Sequence, residues 1–81
     1  MDKNEAYEKL IAWLKKMGYS GSIRLMDSQK RGAHAWGFWP VGGGFFIIRD
    51  DGFANDNYNT FGPGTGWYNS EGESVREEDI P

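Results

Sequence analysis

The chain has 81 residues, a net charge of −3 and no cysteine. That length leaves room for one domain with one core, and the missing cysteines exclude disulfide staples, thiolate metal sites and cysteine nucleophiles. Aromatic residues, at 16% of the chain, take the place of staples, and 12 glycines predict many turns.

Residues 3–17 carry apolar side chains at Tyr7, Leu10, Ile11, Leu14 and Met17, with Ala6 and Trp13 widening the stripe. This is the period of an amphipathic helix. Asp2 and Glu5 stand in capping-box spacing at its start, with Asn4 as a rival cap. Lys15 and Lys16 suit the dipole at its end, and Gly18 follows where a left-handed cap is wanted.

After Gly18 the period changes to that of strands. Residues 22–27 place Ile23 and Leu25 on one face, and Ser28 to Gly32 read as a polar, basic turn. Residues 33–39 form an aromatic strand with Trp36 and Phe38 on one face and Trp39 on the other. Pro40 to Gly43 break the chain, and residues 44–50 are apolar on both faces, as a central strand is. Asp51-Gly52 signals a two-residue type I′ hairpin.

Beyond it, Asn55, Asp56, Asn57 and Asn59 are poor strand formers, and Tyr58 to Phe61 are candidates to pair with the preceding strand. Gly62 to Gly66 read as a loop, and Trp67-Tyr68 and Ser74 to Arg76 as a last hairpin through Glu71-Gly72. The expected architecture is α+β: one N-terminal helix packed on an antiparallel meander of four or five strands. It is a single domain, residues 1–81, with a helix at 3–17, a sheet within 21–76 and a frayed tail at 77–81.

Catalytic constellations are thin. His34 is the only base suited to neutral pH; it shares strand parity with Trp36 and Phe38, which points to a partly buried ring, and a structural or surface histidine explains it better than a catalytic one. Asp50 and Asp51 are adjacent and point apart on a strand. The Asp and Asn residues between 50 and 59 offer hard oxygen ligands, but not in the EF-hand order, and turn formation explains them. The glycines of 62–66 lack the lysine of a P-loop. These readings call for no enzyme activity, no cofactor and no metal.

Two features point to binding. Helix and core use some aromatics, and Trp39, Trp67 and Tyr68, with one pair from Phe45 to Ile48, are left for the second sheet face, to be covered either by the acidic C-terminal segment or by a partner. Charge is also divided. Residues 1–49 hold eight Lys and Arg against four Asp and Glu, and residues 50–81 hold one against eight. Such an acidic segment repels nucleic acid, and it either steers basic partners or serves as a solubilising tail that pairs with the chain's own basic half. The expected partner-binding residues are therefore Trp39, Trp67, Tyr68, Asp56, Glu71 and Glu73.

The order of a short N-terminal helix, an aromatic strand with Trp36-Gly37-Phe38, and an apolar strand ending in Asp51-Gly52 resembles small immunity proteins of bacterial toxin systems. The resemblance spans about residues 5–55 and lies in patterning. It implies a small inhibitor that neutralises a protein partner by steric occlusion; phage-encoded inhibitors of host defence share the same habits. The expectation is a cytoplasmic, acidic, protein-binding inhibitor with a basic-surfaced partner, no membrane association, nucleic acid disfavoured and homodimer formation left open. The alternatives are a carbohydrate-binding module using exposed Trp and Tyr, and a single-stranded nucleic-acid binder.

Overall fold

The helix forms where its signals stand. A computed structural model describes residues 1–62 and 64–81 and places α1 at Lys3–Lys16. Asp2 caps it by accepting the Glu5 N–H at 2.9 Å. At the other end Gly18, at φ +90°, closes a Schellman motif: its N–H bonds the Lys15 carbonyl and the Tyr19 N–H bonds that of Leu14.

Among the described residues five strands follow: β1 (Leu25–Arg31), β2 (Ala35–Pro40), β3 (Phe46–Arg49), β4 (Ala54–Asp56) and β5 (Trp67–Tyr68). All neighbours pair antiparallel in the order β1-β2-β3-β4-β5, which makes the sheet a meander with β3 at its centre. A bridge from Tyr68 to Ser74 adds the expected last turn, with Gly72 at φ +80°.

The helix covers one face only. Ala6, Leu10, Trp13 and Leu14 are buried against Phe38, Phe46, Ile48, Ala54 and Tyr68. Trp13 is the hub of this core, with its ring 5.4 Å from Phe46, 5.8 Å from Phe61 and 5.7 Å from Tyr68. Trp36 is half-buried beside the cluster and donates its indole N–H to the Met1 carbonyl.

Ser28 to Arg31 are not a turn but the second half of β1, paired to β2 as far as Ala35. An edge strand has water on its open side, so polar residues suit it, and its charges and the irregularity between Leu25 and Asp27 blunt the edge against further pairing. The turn lies instead at Gly32 to His34, which leaves the His34 side chain 79% exposed rather than partly buried.

The hairpin after β3 has a three-residue loop, not the expected type I′ turn. The Gly52 N–H bonds the Arg49 carbonyl, Arg49 N–H bonds Phe53, and only Gly52, not Asp51, has positive φ. That is a type I turn closed by a left-handed glycine. Asn55 and Asp56 do lie in a strand, while Asn57 to Phe61 form a loop rather than pairing with it. Pro63, within the expected loop of 62–66, lies outside the described residues. Residues 77–79 form a 3-10 turn, and the Pro81 carbonyl accepts from Arg49 at 2.9 Å, so the tail is docked rather than frayed.

Candidate functional site

The face of the sheet turned away from α1 is built by strand alternation. Registers align one row across all five strands: Gln29, Gly37, Ile47, Asn55 and Trp67. Beside it, Arg31, Ala35 and Arg49 form a second row, and Trp39 stands opposite Asp27.

Gly37 leaves a gap in the central row, and Phe45, just before β3, fills it. A Cβ on Gly37 would meet the Phe45 ring at 2.9 Å. The ring lies flat against Trp39, with centroids 4.4 Å apart and planes 13° apart. The Arg31 guanidinium straddles the pair, 5.4 Å from the Trp39 ring and 5.2 Å from Phe45. Tyr58, which is 61% exposed, continues the cluster outward from Phe45.

A second cation-aromatic group stands across the face. Arg49 lies 5.7 Å from the Phe53 ring and 6.0 Å from Trp67. It also pairs with Asp51 and holds the Pro81 carbonyl, which brings the C-terminal end of the chain to this side. Ile47, half-buried, lies between the two groups. The Asn55 side-chain oxygen, buried in the same row, has no hydrogen-bond partner among the described residues.

The structure separates the residues the sequence grouped. Trp39 and Trp67 share this face and are half-buried. Tyr68 does not join them: adjacent strand residues face opposite sides, so it packs on Trp13 at 7% exposure. Burial, and secondarily the Asp56 charge, push its phenol above the ordinary value of 10.0. Asp56 is also on the helix side, 1% exposed, where its carboxylate accepts the Thr60 and Phe61 N–H groups.

Glu71 and Glu73 are exposed in the turn after β5. Glu71 pairs with Lys16 at 3.3 Å, and Glu73 accepts from Asn69. That turn closes on the helix end, where a Cβ on Gly72 would stand 2.9 Å from the Lys16 Cβ. Arg31, Phe45 and Asn55 were missed as members of the face. The parity of residues 45–48 was legible, but which parity faced the helix was not, and Arg31 was hidden in an expected turn.

His34 and Asp50 form a contact of 2.7 Å on the surface. The hydrogen bond from His34 holds the Asp50 carboxyl below its ordinary value of 3.8, against a smaller opposing effect of burial. The other carboxylates of this region are engaged separately, Asp51 with Arg49 and Asp56 with its own loop.

No protein-family model matches the chain, and no curated protein or solved structure matches it. No helix among the described residues is long and apolar enough to cross a membrane.

Proposed function

We propose that this protein is a small protein-binding inhibitor that acts by occupying its partner's surface through the helix-free face of the sheet. One observation carries the reading. Trp39, Ile47 and Trp67 stand partly exposed on a sheet face that α1 does not cover, and aromatic area of this kind is what anchors protein interfaces. The acidic turn Glu77–Asp79 borders the Trp67 end of that face, because Pro81 just beyond it reaches Arg49. From there it steers a partner with a basic surface. A sugar-stacking role is less well supported, since Phe45 closes one face of the Trp39 ring.

The test is a photo-crosslinking residue placed at Tyr58 on this face, or at Lys9 on the exposed side of α1, with lysate as the source of partners. A protein adduct at position 58, lost when untagged protein is added in excess, is the expected result. Adducts only from position 9, or capture of oligonucleotide or polysaccharide in place of protein, would overturn the reading.

A further inference from the structure

At one end of the layer between α1 and the sheet, a cleft of about 370 Å³ opens into the core. It lies on the helix side and touches none of the aromatic residues of the helix-free face. Buried Leu14 and Phe46 form its floor, half-buried Ile23 and Phe61 its walls, and exposed Tyr19 and Arg24 its mouth. Its volume is at the small end for ligand pockets and matches that of about twelve waters in the liquid, so a ligand of roughly a dozen heavy atoms fits.

The cleft is held open by hydrogen bonds that do not need a ligand. The Val41 N–H donates to the Arg24 carbonyl at 2.8 Å, joining the two rims. The Tyr19 hydroxyl donates to the Ser22 carbonyl at 3.2 Å. Phe61 is fixed from behind, its N–H bonded to the Asp56 carboxylate at 3.0 Å and its ring stacked on Phe46 at 6.1 Å. Gly42 and Gly43 line one side with no side chain, and among the described residues nothing lies within 4 Å of where a Cβ would be. A rigid ring can enter there at little cost in reorganisation.

Charge selects the ligand class. The ion pairs among the described residues use Lys16, His34, Arg49 and Arg76 as cations; Arg24 is in none of them. Arg24 is the charged residue among those that line this aromatic-walled cleft, and a guanidinium outside any ion pair is a bidentate receptor for a carboxylate. We propose that this cleft binds a small aromatic carboxylate, its ring against Phe46 and Phe61 and its carboxylate on Arg24.

The experiment is an amide NMR titration of the full chain with naphthoate, with the neutral naphthylmethanol, and with octanoate. Naphthoate is expected to bind with a millimolar or tighter dissociation constant and to shift the Ile23, Arg24, Val41 and Phe61 amides. Loss of the charge-assisted hydrogen bonds makes naphthylmethanol about tenfold weaker, and octanoate, without a ring to stack, is also weaker. Arg24→Gln lowers naphthoate to the level of the alcohol, while Lys9→Gln, on the exposed side of α1 and outside the cleft, changes nothing. Equal affinity for acid and alcohol, equal affinity for octanoate, shifts centred on Trp39 and Tyr58, or no binding at millimolar concentration would each overturn the assignment.

Discussion

The buried carboxylate of Asp56 accepts the backbone N–H of Phe61 at 3.0 Å, and of Thr60 at 2.9 Å, so one side chain in β4 sets the course of the loop that follows. That loop returns Phe61 to the core, edge-on to Trp13 with planes at 88°. A residue with the look of a surface charge is thus a folding element. Asp56→Asn turns one acceptor into a donor facing an N–H. Its cost is expected at about 2–3 kcal/mol, because buried hydrogen bonds to a charged group carry about that much. Urea denaturation measures it, and a loss below about 0.5 kcal/mol would show that the loop holds without the carboxylate.

Core truncation is expected to be severe. Leu10 is fully buried and Trp13 is 3% exposed. Leu10→Ala should cost about 2–4 kcal/mol and Trp13→Ala about 3–5 kcal/mol, a large share of the 5–15 kcal/mol that is typical of a domain. Thermal and chemical denaturation monitored by circular dichroism will show both variants largely destabilised. An exposed position on the same helix, such as Glu8→Ala, should change stability by no more than about 0.5 kcal/mol.

Gly37 is required by space. A methyl group there would meet the Phe45 Cε1 at 2.9 Å, so Gly37→Ala must tilt the ring off Trp39. The expected cost is about 1–3 kcal/mol, as for overpacking elsewhere, with a change in tryptophan fluorescence as the Trp39 stack opens. Gly52 is required by conformation: at φ +95°, and with Ser70 Cβ 3.2 Å from its missing side chain, Gly52→Val should cost more than about 1 kcal/mol.

Two titrations report on geometry at opposite ends of the pH scale. The Asp50 carboxyl lies below 3.8 because His34 hydrogen-bonds it. A depressed carboxyl stabilises the fold above its unfolded value, and the contribution is lost as pH falls through the folded value. The pair therefore supports the fold at neutral pH and is lost as acid is added below 3.8; being exposed, it contributes little. Carbon-detected NMR titration of His34→Ala should return Asp50 toward 3.8.

The Tyr68 phenol is raised above 10.0 by burial and then by Asp56. Its contribution is intact below 10.0 and lost as pH rises through the folded value, so alkaline unfolding should coincide with its ionisation. Ultraviolet titration of tyrosinate tests this, and in Asp56→Asn the Tyr68 value should fall.

Local signals were enough for some of this protein. The helix was legible because cap, apolar stripe and terminal glycine act within one or two turns of Asp2, Leu10 and Gly18. The meander was legible because short turn-rich connections leave antiparallel pairing between neighbours as the simple solution. Alternation alone also puts Trp39 on the face opposite to Trp36 and Phe38.

Other features depended on what each segment met in space. Residues 45–48 are apolar on both faces, so only the seat of α1 on Phe46 and Ile48 left Phe45 and Ile47 for the open side. Ser28 to Arg31 have the composition of a turn, and became a strand because β2 supplied hydrogen bonds along one edge while water received the other. Asp56 carries the charge of a surface residue, yet the amides of its own loop replaced the water it lost. The aromatic face and the acidic turn at Glu71 fell on different sides for the same reason. Strand parity is local, but the layer that covers one parity is chosen by packing among residues far apart in the chain.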